Sequence, residues 1–91
     1  VDAQAGRVLD ALRASGRERD TVVVVWSDHG FLLGEHGIWG KHCLYEHALR
    51  SPLLIRHPGL PEPGRTSAAM VETVDLFPTL VELCGLPTPE G

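Results

Sequence analysis

The chain has 91 residues, 43% of them hydrophobic and 22% charged, which supplies one modest core and excludes a second independent domain. Twelve acidic against eight basic side chains give a formal charge of −4, with no run of lysine or arginine, so nucleic acid is not expected as a partner. No apolar run approaches the ~20 residues of a membrane span, and Val1-Asp2-Ala3-Gln4 is not a basic segment leading into an apolar one, so no membrane is expected either.

Val1, Ala5, Val8, Leu9 and Leu12 recur at helical spacing, with Asp2, Arg7, Asp10 and Arg13 on the opposite side. Gly16 stands where a glycine stops a helix, so the pattern predicts a helix over about residues 2–15. The start lacks an initiator Met and enters directly on that helical pattern, which suggests a piece of a longer chain. Thr21-Val22-Val23-Val24-Val25-Trp26 is a β-branched run without polar alternation, the signature of a strand covered on both faces. Helix followed by buried strand is half of an α/β unit, and the fold class expected is α/β. Trp26 is expected in its core.

From Ser27 to His42 the texture changes. Gly30, Gly34, Gly37 and Gly40 punctuate a loop that holds Asp28, His29, Glu35, His36, Lys41 and His42, at the edge where open α/β sheets place their ligands. Leu44 to Leu49 can make one or two helical turns before Pro52, and Leu53-Leu54-Ile55 reads as a short core strand. Pro58 to Gly64 is turn-rich, Ala68 to Val74 reads as a further strand, and Leu76, Leu80, Val81 and Leu83 carry a closing helix with Asp75 as its N-cap. Pro78 fits that helix's first turn, Gly85 ends it, and Pro87 and Pro89 keep the tail extended. Cys43 and Cys84 form neither a disulfide framework nor a Cys-x-x-Cys site.

Chemistry concentrates at Ser27-Asp28-His29-Gly30. Neighbouring strand residues point to opposite faces, but at a bend beyond a strand end a carboxylate and an imidazole can converge on one cation. An oxygen with a nitrogen ligand suits manganese or zinc, and an all-oxygen completion suits calcium. Asp-His-Gly alone is a common turn tripeptide. Lys41, in Gly37-Ile38-Trp39-Gly40-Lys41, changes that reading, because an ammonium is a compact point charge for one oxyanion oxygen. Ligand types and a cation in one glycine-rich loop describe a site for an anionic tetrahedral group.

These segments resemble the sulfatases of the alkaline phosphatase superfamily. Thr21 to Gly30 and Gly34 to Lys41 look like that family's second metal-and-substrate segment. Tyr45-Glu46, Arg50 and Pro52 match its Tyr-Glu-x-x-x-Arg-x-Pro pattern, and Val74-Asp75-Leu76-Phe77-Pro78-Thr79 its Val-Asp-x-x-Pro-Thr helix. The ordered set spans essentially the whole chain. The resemblance implies a partial sulfatase-like sheet with flanking helices, residues 1–91 being one domain cut from a larger catalytic domain. It implies Asp28 and His29 as two metal ligands, with His29 where many arylsulfatases have asparagine, and Lys41 as the lysine that contacts sulfate. Calcium is then the expected cation, with manganese or zinc as alternatives, and a sulfate ester the expected substrate. Glu46 and Arg50 are expected to pair beneath the site, His36 to stabilise the loop by a hydrogen bond, His42 and His47 to lie at the rim, and Trp39 to pack under the loop.

No catalytic residue is expected within the chain. Sulfatases of this type use a formylglycine made from cysteine in Cys-x-Pro-x-Arg or Cys-x-Ala-x-Arg. Cys43 precedes Leu-Tyr-Glu-His and Cys84 precedes Gly-Leu-Pro-Thr, so neither fits, and the family's paired N-terminal aspartates have no counterpart. The chain alone is therefore expected to be inactive. Alternatives are a phosphonate monoester or phosphodiester hydrolase of the same superfamily, and a non-catalytic anion-binding or self-associating domain, whose exposed strand edges would favour a homodimer.

Overall fold

The computed structural model describes residues 1–88. Helix α1 (Asp2–Ala14) ends as its sequence requires, with Ser15 still helical and Gly16 at φ +72°, a left-handed conformation that a side chain would strain. A single 3₁₀ turn over Glu18–Asp20 leads into β1 (Val23–Trp26), which pairs antiparallel with β4 (Leu53–Arg56) in the register Val23↔Arg56 to Trp26↔Leu53. Between them lie a hairpin of two-residue strands, β2 (Leu32–Leu33) and β3 (Trp39–Gly40), and the single-turn helix α2 (Glu46–Leu49). A second 3₁₀ turn, Thr73–Asp75, precedes α3 (Leu76–Leu83).

Side-chain bonds tie these pieces together across the sequence. Glu18 takes Arg13 Nε at 3.6 Å and Arg56 Nη2 at 3.4 Å, and Arg56 Nη1 donates to the Glu18 carbonyl at 3.2 Å, so the end of α1 is held to β4. These groups are partly exposed, and each such pair contributes about 0–1 kcal/mol. His57, just past β4, accepts the Gly59 N–H on Nδ1 at 3.0 Å. Its proton therefore sits on Nε2 and is donated to the Leu83 carbonyl at 3.2 Å, joining the sheet to the end of α3.

The core is small: among the described residues, Leu32, Ala48 and Val81 are the buried hydrophobics. Much that is buried in the sequence reading is open here. Trp26 on one face is 45% exposed and Val25 and Leu54 on the other are open, because β1 has one strand beside it and no full layer over either face. Val8 and Leu9 on α1 are also uncovered. Ser27 donates its N–H to the Pro52 carbonyl at 3.3 Å. With alternation along an antiparallel pair, this turns the peptide groups of Val24 and Trp26 on β1, and of Leu53 and Ile55 on β4, toward the sheet's two unpaired edges. A cleft of about 900 Å³ separates Val25, Trp26 and Leu54 from the segment running from Gly64 to Thr73. The radius of gyration is 16.2 Å, against about 12 Å for a compact domain of this length.

Three expected elements differ in detail. The strand expected over Ala68–Val74 does not form: Met70 is 98% exposed, no strand lies alongside to supply ladder bonds, and Thr73 to Asp75 curl into the 3₁₀ turn. Asp75 stands at the N-cap position of α3, as expected, but its side chain bonds no amide of that helix; the carboxylate instead accepts the Glu72 N–H at 2.8 Å, closing a capping box on the preceding turn. The helix expected from Leu44 starts only at Glu46. Gly85, at φ +64°, ends α3, with the Leu86 N–H returning to the Val81 carbonyl at 3.0 Å; the expectation for Pro89 falls outside the described residues. No helix of the described residues is long and apolar enough to cross a membrane.

Leu32 has no exposed surface whereas its neighbour Leu33 is 63% exposed, which sets up an internal control. Leu32→Ala is expected to cost about 2–5 kcal/mol in urea unfolding, and Leu33→Ala under about 0.5 kcal/mol.

Candidate metal and anion site

Where β1 ends, the chain makes a bend closed by two short bonds. Ser27 Oγ donates to the His29 carbonyl at 2.6 Å, and His29 Nδ1 stands 2.6 Å from the Gly30 carbonyl. A carbonyl only accepts, so Nδ1 carries the proton and Nε2 presents a lone pair. Nε2 is sealed from solvent and has no hydrogen-bond partner. It lies 3.2 Å from Asp28 Oδ2, at an angle that makes no hydrogen bond. The two side chains that a strand would send to opposite faces thus converge once the strand has ended. Two acceptor atoms this close repel unless a proton or a cation lies between them.

Gly30 anchors this bend to the rest of the molecule. Its N–H donates to the Ala48 carbonyl at 2.8 Å, and a Cβ at this position would collide with the His47 carbonyl. Only glycine lets the two backbones approach this closely. The hairpin follows directly: the Leu32↔Gly40 pairing, continued by one step, sets Lys41 across from Phe31, two positions beyond His29. Lys41 is exposed, and no acidic group pairs with it among the described residues.

The hairpin turn is secured by Glu35, whose Oε2 accepts the Leu33 N–H at 2.6 Å. Glu35 stays ionised to lower pH than an ordinary glutamate, chiefly through the backbone N–H groups of Glu35 and Leu33, with His47 and His36 adding to the effect. His36, at φ +55°, is the one non-glycine residue with positive φ among the described residues, a conformation costing about 1–2 kcal/mol. Its ring lies flat on Tyr45, with centroids 3.9 Å apart and 12° between planes, and edge-on to His47 at 6.4 Å.

Several expectations are corrected here. His36 contributes a stacked ring where a hydrogen bond was expected, since the left-handed turn swings it over Tyr45. Glu46 and Arg50 make no ion pair; the Arg50 N–H bonds the Glu46 carbonyl at 2.8 Å, but Arg50 lies beyond the last turn of α2 and its side chain lines the cleft. Trp39 is 75% exposed, its indole merely flanking Gly34. His42 and His47 are exposed, and both cysteines are free. Asp28 and His29 are brought together and Lys41 follows on the adjoining hairpin. Among the described residues no group of three or more His, Cys, Asp or Glu could hold a metal ion. Ser27, Tyr45 and the close approach at Gly30 were not read from the sequence: Tyr45 and His36 are nine positions apart on elements with no shared period. A glycine directly after two ligand-type residues was the one available signal.

The sulfatase profile matches residues 1–86. The chain belongs to the sulfatase family. This sulfatase chain is 49% identical over 86 residues to a sulfatase of Formosa agariphila, covering 94% of the chain and 17% of the relative. It is 42% identical to an N-acetylglucosamine-6-O-sulfatase of Bacteroides thetaiotaomicron, covering 98% of the chain and 16% of the relative. The human iduronate 2-sulfatase is 37% identical, with 98% and 20% covered. A solved structure of a protein in complex with its substrate D-glucosamine-2-N,6-O-disulfate superposes with a TM-score of 0.89 at 42% identity, over 98% of this chain and 18% of that one. The chain thus spans a fifth or less of the relatives it matches.

Two measurements check this local architecture. Gly30→Ala is expected to separate the bend from α2, seen as loss of amide protection at residue 30, whose N–H is the donor of that bond, and destabilisation of about 1–3 kcal/mol. Because the Glu35 carboxyl is lowered in the folded chain, its contribution is present above the ordinary glutamate range and lost as pH falls through the lowered value. The Leu33 amide resonance should therefore keep its bonded shift below the pH at which an exposed glutamate titrates, and Glu35→Gln should abolish that pH dependence.

Proposed function

We propose that this chain forms one wall of the active site of a sulfuric ester hydrolase, with Asp28 and His29 holding a divalent cation and Lys41 holding the sulfate group. The observation that carries the reading is the His29 imidazole: its Nδ1 proton is committed to the Gly30 carbonyl, and its Nε2 lone pair is left without a partner 3.2 Å from a carboxylate oxygen. A ligating histidine characteristically donates its other ring N–H to a backbone carbonyl in this way. Adjacent ligands on a divalent cation stand about 2.8–3.7 Å apart for bond lengths of roughly 2.0–2.6 Å at right angles. The donor set therefore fits such a cation, and calcium is the one expected for the family, with manganese or zinc as alternatives.

The residues divide the work by charge and reach. A cation bound there polarises the sulfate oxygens and favours ionisation of a nucleophile's hydroxyl. Lys41, directly after β3 and in register across from Phe31, would supply the ammonium that offsets the negative charge growing as the ester bond breaks. Ser27 and Gly30 hold the bend in which Asp28 and His29 converge. The sequence holds no cysteine in the formylglycine motif, and among the described residues Asp28 and His29 have no third ligand-type side chain grouped with them, so on this reading the nucleophile and remaining ligands come from elsewhere in the enzyme. The open faces of α1, β1 and β4 and the cleft beside Trp26 are where the rest of such a domain packs. Relatives named for sulfated amino sugar and uronic acid substrates favour a sulfated saccharide as the ester.

Grafting residues 1–88 in place of the matching segment of the Bacteroides thetaiotaomicron relative tests the whole reading. The graft is expected to retain hydrolysis of a sulfated glucosamine, and Asp28→Asn or Lys41→Ala to lower kcat/KM by about 10²–10³-fold. A graft that prefers a phosphodiester would assign the chain to the other branch of the superfamily, and one indifferent to both substitutions would sink the site. Calorimetric titration of the chain alone with calcium or manganese should show weak binding or none, since two ligands do not close a site; sub-millimolar binding by a dimer would favour the self-associating alternative.

A further inference from the structure

We propose that His36 is a positioning residue: stacked on Tyr45, it clamps the tip of the β2–β3 hairpin to α2 and so fixes where Lys41 stands. The proposal rests on the reading of Lys41 as the sulfate-holding cation. Three observations carry it.

The hairpin has little to hold it in shape by itself. Its ladder is two pairs long, Leu32↔Gly40 and Leu33↔Trp39, and so short a ribbon is marginal in water. Its base is fastened to α2 by the Gly30 N–H to the Ala48 carbonyl, at 2.8 Å. Its tip is fastened to the same helix by aromatic contact: Tyr45 immediately precedes α2 as its N-cap residue, His47 lies within it, and His36 meets the first face to face at 3.9 Å and the second edge-on at 6.4 Å. One single-turn helix therefore grips the hairpin at both ends. Lys41 leaves the hairpin next to the base and would swing if the tip were free.

The backbone at the tip points the same way. Gly34 and Gly37 take the positive φ values that a tight turn needs, but between them the chain places a histidine in the left-handed region. Glycine there would relieve the strain, and asparagine would tolerate it. Neither supplies a flat ring, and the flat ring is what Tyr45 meets.

The test uses the full chain labelled with ¹⁵N. His36→Asn keeps a residue tolerant of the left-handed turn and removes the ring; His36→Phe keeps a ring; Tyr45→Leu removes the partner and leaves the turn sequence untouched. His36→Asn and Tyr45→Leu are each expected to speed amide exchange at Leu32 and Gly40, the bonded pair next to Lys41, about tenfold while Val25 and Leu54 in the β1–β4 pair are unchanged, with His36→Phe holding the wild-type rates. The upfield ring-current shift of Tyr45 should vanish in His36→Asn and persist in His36→Phe. Unchanged Gly40 exchange in Tyr45→Leu, or His36→Phe behaving like His36→Asn, would overturn the proposal. If His36→Asn melts the β1–β4 pair as well, His36 is a general fold residue and the proposal also fails. Lys41→Ala in the graft reports separately on sulfate: activity that survives it removes the sulfate reading, while the exchange rates still decide whether the clamp exists.

Discussion

The close approach of Gly30 to the His47–Ala48 peptide is the constraint on which the rest of the site depends. The bend that follows β1 must carry two polar side chains outward and still return a chain that can pack. It does so because a residue without a Cβ lets its N–H reach the Ala48 carbonyl at 2.8 Å. That contact fixes the bend carrying Asp28 and His29 at one end, and at the other it delivers Leu32 and Ala48 into the small core. Any residue with a side chain at position 30 separates the bend carrying Asp28 and His29 from the helix that supports it.

Electrostatics then follows from the geometry. Inside the bend, the Asp28 carboxylate oxygen and the His29 Nε2 lone pair stand 3.2 Å apart, two acceptors that repel unless a proton or a cation comes between them. Past the hairpin, Lys41 is exposed and pairs with no acidic group among the described residues, while the hairpin's own glutamate, Glu35, accepts the Leu33 N–H. On the function proposed above, these are the two places that would meet a cation and a sulfate group.

The outer faces tell a complementary story about size. A two-stranded sheet with both edges unpaired, a helix with its apolar stripe uncovered and a cleft lined by Val25, Trp26 and Leu54 are faces that a longer sulfatase chain would cover. The similarity at a TM-score of 0.89 to less than a fifth of a solved relative shows that the local path of the chain is that of the family even where the covering layers are not among these residues.

Local regularities were legible in the sequence. The stripe of α1 and its stop at Gly16, the β-branched run that becomes β1, the short strand β4 after Pro52, and the stretch of α3 up to Gly85 all follow from periodicity and from turn residues, which act within a few positions of themselves. The ordered motifs were legible too, and with them the family. What tertiary structure decided was everything that depends on a neighbour distant in the chain. Ala68–Val74 had the composition of a strand but no strand beside it, Trp26 had the side chain of a core residue but no layer above it, and Glu46 and Arg50 had the spacing of an ion pair but a helix one residue too short. His36 was expected to donate a hydrogen bond, and a left-handed turn laid it on Tyr45 instead. Sequence determined which residues could do chemistry; packing across the chain determined which of them meet, because burial, ladder bonds and ring contacts belong to pairs of segments and to neither segment alone.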